Sequence, residues 1–298
     1  MKIERLHEFF FAEASGIDLK EDLDGDVMAE IRAALDKNAV LLFRDQGLSD
    51  RQQIAFSERL GPVATTRQAD RPGFRLRVDP QMSDISNLDA DGAVLGAGHR
   101  RRMDGLANRL WHTDHSFRRV PSTYSLLSAH IVPPEGGQTE FADMRAAYDA
   151  LSPARKAELE GLVVEHSIYT SRAVIGFTDF SAEERAALPP ARQPLVRMHP
   201  GSGRKSLYLA AHADRVEGMP TPEGKMLLLD LMDHATQPQF VYSHSWRPGD
   251  IVIWDNRCTM HRARAYDMTQ KRDMRRTTVS ETAPLLEQAA VEAAAAVR

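Results

Sequence analysis

The chain has 298 residues, 42% hydrophobic and 27% charged, enough to bury a core without disulfide or metal staples. Its 38 basic and 42 acidic residues leave a net charge of −4. That balance excludes the broad basic field of a nucleic-acid binder but leaves room for a local anion pocket. A single cysteine, Cys258, excludes an internal disulfide framework and a cysteine-rich zinc site, and reads as inert packing.

In chain order, Val27, Ile31 and Leu35 predict a helix over 26–37, AVLLFR at 39–44 a buried strand, and Ser49-Asp50 the start of a second helix carrying Ile54, Phe56 and Leu60. The opening MKIERLHEFF has no long apolar core and no apolar run reaches membrane-spanning length. A cytoplasmic protein with no membrane partner is the expectation. From about residue 120 the strand candidates are short and bounded by turn residues: 123–132, 139–144, 161–167, 194–199, 206–210, 239–246, 250–255 and 274–280. Helices are expected at 144–160 and 222–235, outside a sandwich or closed jelly roll. Residues 87–110 and 169–193 read as long loops, with Arg100, Arg101 and Arg102 solvated. No repeat or linker interrupts the chain, so a single domain over 1–298 is expected. Residues 1–60 would form its helix-and-strand N-terminal part and about 285–298 a frayed tail.

The heptapeptide Trp111-His112-Thr113-Asp114-His115-Ser116-Phe117 carries the first chemical signal. In an extended segment residues 112 and 114 share a face, so an imidazole and a carboxylate can hold one divalent ion while His115 points away. Far along the chain, DIVIWDNRCTMHRA reads as a buried strand, a turn at Asp255-Asn256 and a second strand carrying His261. Two histidines and one carboxylate leave positions open on Fe(II), as an oxygenase binding a bidentate cosubstrate and dioxygen requires. Beyond His261, Arg272, Met274 and Arg276 alternate on one strand face, placing the two arginine Cα atoms roughly 13 Å apart. Guanidiniums so spaced suit two different carboxylates on either side of a metal, whereas Arg275 points to solvent. GSGRKS at 201–206 lacks the spacing of a phosphate-binding loop and reads as a turn.

Together, His112-x-Asp114, the Gly136-Gly137-Gln138-Thr139 turn, Trp254-Asp255-Asn256, His261, and Arg272 followed by Arg276 resemble the TauD/TfdA family of Fe(II)- and 2-oxoglutarate-dependent dioxygenases over nearly the whole chain. QQIAFSERLGPV, EFADMRAAYDAL, HPGSGRKSLY and MLLLDLMDHATQPQFVY resemble in particular its 2,4-dichlorophenoxyacetate dioxygenases. The resemblance implies a mainly β fold with peripheral helices, the double-stranded β-helix or jelly roll. It implies His112, Asp114 and His261 as iron ligands, Arg272 and Thr139 on the distal carboxylate of 2-oxoglutarate, Arg276 on the anionic head of the prime substrate, and Asn108 on the substrate side. Trp254 falls either near the metal or in plain core packing. The implied reaction uses O2 and 2-oxoglutarate, yields succinate and CO2, and hydroxylates the carbon next to the ether oxygen of an aryloxyalkanoate. The product then collapses to a phenol and glyoxylate or another 2-oxo acid. Related enzymes are commonly dimers or higher oligomers, so a homo-oligomer is expected from the resemblance alone.

Departures from the resemblance fall on the substrate side. The 90–98 stretch has no lysine, and Asp214-Arg215 stands where a serine and a histidine are expected. Arg215 either strengthens anion selection or is a surface charge; His199 and His212 either line the pocket or serve turn and core hydrogen bonds. A taurine, alkylsulfonate or alkyl sulfate dioxygenase is the alternative within the same chemistry. A metal-dependent hydrolase would leave Thr139, Arg272 and Arg276 unexplained, and no HExxH is present. A non-catalytic jelly-roll binding module would have little reason to keep a complete triad.

Overall fold

A computed structural model describes residues 1–66 and 75–288 of the chain. Strands β1 (Lys2–Arg5) and β2 (Ala12–Ser15) precede helix α1 (Gly25–Asn38), whose first turn is capped by the Asp24 carboxylate accepting from Val27 N at 2.8 Å. Ala39, at φ 60°, stops α1 and turns the chain into β3 (Val40–Phe43). Ser49 and Gln52 form a capping box that starts α2 (Asp50–Glu58). There follow β4 (Ser83–Asp84), α3 (Arg100–Gly105) and a 3₁₀ turn at Leu106–Arg109.

The central strands are β5 (Ser122–Ile131) and β6 (Thr139–Asp143), then α4 (Met144–Asp149), α5 (Pro153–Leu159), β7 (Val163–His166), α6 (Ile168–Val174) and α7 (Ala182–Ala187). After them come β8 (Ala191–Pro194), β9 (Val196–His199), β10 (Arg204–Leu207), β11 (Ala213–Val216), α8 (Thr221–Ala235), β12 (Val241–His244), β13 (Ile251–Asp255), β14 (Thr259–Ala263) and β15 (Asp273–Ser280).

A seven-stranded sheet, ordered β1-β2-β3-β13-β5-β15-β4, faces a three-stranded sheet, β12-β6-β14. Strand β13 explains the stacking. Val252 and Trp254 point inward and pack with Phe141 of the small sheet, while Ile251 and Ile253 point outward among Met28, Ile31, Leu35 and Phe56 of α1 and α2. Burial on both faces is why IVIWD is almost wholly apolar. Gln53 of α2 pins the helix to the large sheet by donating to the carbonyls of Leu126 and Arg275. The outer face of the small sheet, with Ala142 and Met260, is covered by Leu227, Leu228 and Leu231 of α8. This is the expected jelly roll with helices outside it.

One glycine turn positions the site. Gly136 sits at φ +75°, and a Cβ there would lie 2.4 Å from the Ala265 carbonyl oxygen. Gly137 N donates to that same oxygen at 3.0 Å. Only glycine admits both the backbone conformation and the approach, and the turn delivers Thr139 to the start of β6.

Several expectations are corrected. The N-terminal part contributes β1 and β2 to the large sheet besides its helices and β3. The helix expected over 144–160 is two, α4 and α5, parted where Ser152 caps a new start at Pro153. The 194–199 strand divides between β8 and β9, which join different sheets, and 239–246 is a 3₁₀ turn followed by the shorter β12. The expected loops contain α3 and its 3₁₀ turn, and α6, α7 and β8. Arg100, Arg101 and Arg102 are not simply solvated. Arg100 pairs with Glu184 at 3.0 Å, Arg101 with Asp84 at 2.9 Å, and Arg102 donates to the Leu95 carbonyl at 3.2 Å. Arg275 likewise meets Asp50 at 2.5 Å and Asp273 at 3.1 Å. Most of the 285–298 tail lies outside the described residues. No described helix is long and apolar enough to cross a membrane.

Candidate metal centre and anion pocket

The two histidines meet first through their backbones. His112 N donates to His261 O at 3.0 Å and His261 N to His112 O at 2.9 Å, an antiparallel bridge on the free edge of β14. The chain then leaves the extended conformation: residues 114–117 form a turn and His115 sits at φ 55°. The expected extended segment is therefore a bridge residue followed by a turn, yet Asp114 still arrives beside both rings. His112 Nε2 lies 4.0 Å from Asp114 Oδ1, and His261 Nε2 lies 3.7 Å from Asp114 Oδ2. One donor atom from each residue falls within 4.8 Å of the others, and all three residues are buried. His115 lines the same pocket without joining that group.

The protonation states suit a metal. His112 Nδ1 is 2.8 Å from the Leu110 carbonyl, so its proton sits there and the Nε2 lone pair faces the cluster. Burial lowers the pKa of His112 and pushes that of His261 well down, leaving both rings neutral near pH 7. Burial opposes ionisation of Asp114, but the Arg276 guanidinium, bonded to Oδ1, prevails and holds the carboxyl well below the usual range. The second oxygen accepts from Ser125 Oγ at 2.8 Å. Asn256 completes the frame, donating from Nδ2 to Ser125 Oγ at 3.0 Å and accepting at Oδ1 from Asp114 N at 3.2 Å and Trp254 Nε1 at 3.1 Å. Motif spacing does not point to Ser125. Its signal is a hydroxyl on the inward face of β5, two residues before the core residue Leu127.

Arg272 is the other polar landmark. Its side chain is buried, Nη1 donates to the Ile85 carbonyl at 3.1 Å, and the guanidinium lies 5.7 Å from the Tyr266 ring centroid. Among the described residues no carboxylate pairs with it, and burial lowers its pKa. A buried cation without a counter-ion costs free energy unless an anion arrives. Thr139 Oγ accepts from Trp246 Nε1 at 2.9 Å, which leaves its own hydrogen free to donate. Thr139, Arg272, Arg276 and Asn108 line one pocket with the His-Asp-His group.

The open alternatives resolve by position. Trp254 is both core and wall, 5.5 Å from the Phe141 ring and 4.7 Å from that of His261. His212 lines the pocket, edge-on to Phe117 at 4.9 Å. His199 does not; its Nε2 is 2.9 Å from Asp255, a structural bond that also involves the Arg257–Asp255 pair. Arg215 is a surface charge beside Glu165 and Asp214 pairs with Lys225, both outside the pocket lining. Cys258 is a buried free thiol. Arg172 and Asp104, 2.9 Å apart, form a buried ion pair in the pocket wall that sequence spacing does not reveal.

The family described as taurine catabolism dioxygenase TauD, TfdA matches residues 2–278. The alpha-ketoglutarate-dependent 2,4-dichlorophenoxyacetate dioxygenase of Cupriavidus pinatubonensis is 48% identical, covering 93% of this chain and 97% of its own. The (S)-phenoxypropionate/alpha-ketoglutarate dioxygenase of Sphingobium herbicidovorans is 39% identical over 89% of this chain and 90% of its own. Among solved structures, AAD-2 in complex with Mn(II) and N-oxalylglycine superposes with a TM-score of 0.89 at 48% identity, covering 96% of this chain and 99% of that one.

Proposed function

This chain belongs to the TauD/TfdA dioxygenase family, and from that premise we propose that it is an Fe(II)- and 2-oxoglutarate-dependent dioxygenase that cleaves aryloxyalkanoates such as 2,4-dichlorophenoxyacetate. The observation that carries the reading is a buried Arg272, with no carboxylate partner among the described residues, in the same pocket as two neutral imidazoles and one carboxylate. That donor set, with its nitrogens and oxygen already convergent, fits iron(II).

His112, Asp114 and His261 would hold the metal, and Ser125 and Asn256 fix the carboxylate that it needs. Arg272 pairs with the distal carboxylate of 2-oxoglutarate, and Thr139 donates a hydroxyl hydrogen bond to it. Bound iron(II) and 2-oxoglutarate supply, with dioxygen, conversion of a substrate C–H to C–OH coupled to decarboxylation of the cosubstrate to succinate. Arg276 and Asn108 hold the anionic head of the substrate, while Phe117, Ile168 and Leu106 offer an apolar wall to its ring. Anchoring the carboxylate orients the adjacent carbon, and a misplacement of about 1 Å costs on the order of a hundredfold in rate. Hydroxylation beside the ether oxygen gives a hemiacetal that collapses to a phenol and a 2-oxo acid.

The test is succinate release with Fe(II), ascorbate and air. The panel is 2,4-dichlorophenoxyacetate, each enantiomer of a phenoxypropionate, taurine and an alkyl sulfate. Phenol equal to succinate supports the reading. Sulfite from taurine, or sulfate release from the alkyl sulfate, keeps the reaction class and replaces the substrate. Absence of 2-oxoglutarate binding to the Fe(II) protein overturns the class itself.

A further inference from the structure

Among the described residues the pocket lining holds seven arginines against three aspartates, a formal surplus of four positive charges in a chain whose net charge is −4. These guanidiniums differ in two respects, exposure and pairing. Arg272 is buried, Arg102 and Arg109 are half-buried, and Arg264 is exposed. Arg101, Arg172, Arg264 and Arg276 each meet an acidic side chain, at Asp84, Asp104, Glu140 and Asp114 respectively. Arg102 spends one N–H on the Leu95 carbonyl, and among the described residues neither Arg102 nor Arg109 has a carboxylate partner. Both come from α3 and the 3₁₀ turn that follows it, and both, with Arg272, act electrostatically on the Tyr266 phenol. Three guanidiniums without a carboxylate partner among the described residues therefore line one pocket, graded from half-buried to buried.

We propose that Arg102 and Arg109 form an outer collar that captures the 2-oxoglutarate dianion and passes it inward to Arg272. The inference rests on the 2-oxoglutarate reading above. A cleft lined by one sign of charge between low-dielectric walls focuses field lines and raises the association rate of the opposite charge. The gradient of burial supplies the direction, because each inward step exchanges water for a less screened cation. A dianion gains more from such a field than a monoanionic aryloxyacetate, so the collar favours the cosubstrate.

The test uses the full chain loaded with Mn(II), mixed with 2-oxoglutarate in a stopped-flow instrument and followed by tryptophan fluorescence. Ionic strength is varied from about 10 mM to about 300 mM, which shrinks the Debye length severalfold. Wild-type association should slow steeply with salt. The R102Q/R109Q double variant should associate roughly tenfold more slowly at low salt and lose most of the salt slope. R102K/R109K should restore both, which a purely structural role of the two side chains would not. A glutamine variant that keeps the wild-type slope, or a lysine variant that behaves like the glutamine one, overturns the collar alone. Failure of the wild type to bind 2-oxoglutarate overturns the functional reading and the collar together.

Discussion

Replacing Arg272 by methionine should make the ligand-free protein more stable and remove most of the stabilisation that ligands give the wild type. The guanidinium is buried, it meets the Ile85 carbonyl and the Tyr266 ring, and among the described residues no carboxylate faces it. Burying an uncompensated charge costs several kcal/mol, against roughly 1.5–3 kcal/mol returned by a charged hydrogen bond and about 1 kcal/mol by the ring. Methionine fills much of the same volume without the charge, so a net gain of about 1–3 kcal/mol is expected. At this chain length that raises Tm by about 2–6 °C. With Mn(II) and 2-oxoglutarate at about a hundred times Kd, the wild type gains about 2.7 kcal/mol and the variant gains little. Calorimetric melts with and without the ligands should therefore show the variant's advantage shrink by about 2.7 kcal/mol on ligand addition, and reverse where that advantage is below about 2.7 kcal/mol. A methionine variant that melts below the wild type without ligand would show that Arg272 has a structural partner. One that keeps the ligand-induced rise would remove it from the cosubstrate site.

Three further outcomes are expected. Ser125→Ala deletes the bonds to Asp114 Oδ2 and Asn256 Nδ2, and metal titration should show affinity falling about 10–100-fold with the far-ultraviolet spectrum unchanged. Gly136→Ala forces a Cβ to within 2.4 Å of the Ala265 oxygen at φ +75°; denaturant unfolding should show a loss above about 2 kcal/mol, and a smaller one would mean the turn relocates freely. His166 is buried, its pKa pushed down by burial from 6.5 to about 3. The folded form therefore resists a proton that the unfolded chain accepts. Its contribution is complete above about pH 6.5 and shrinks by about 2.7 kcal/mol by pH 4.5. His166→Gln should flatten the stability profile across that window.

The chemistry was more legible in the sequence than the connections between elements. The residues proposed as ligands stand in short motifs whose types restrict their use, and the apolar run at 251–254 announces a strand buried on both faces. The expected loops were harder to read, because α6 and α7 are six or seven residues long and draw their stability from caps and tertiary contacts rather than periodicity. The pairing of Arg275 with Asp50 joins positions 225 apart, and no local pattern encodes such a meeting. Alternation correctly turns Arg275 away from Arg276, but the face it turns to holds acids rather than only water. Asp114 escaped the strand pattern for a similar reason: the left-handed His115 bends the chain where alternation alone would continue it.

The reciprocal backbone bonds between His112 and His261 also set a timetable for the molecule's birth. Roughly 150 residues must be synthesised after the first histidine before its partner exists, so the pair is a strongly non-local contact. A growing polypeptide can present His112 and Asp114 to a passing metal long before it can enclose one. The edge of β14 that receives His112 forms only when the last third of the chain has emerged. Assembly of the proposed metal site is thereby deferred to a nearly finished protein, and a chain truncated before β14 carries two of its three proposed ligands.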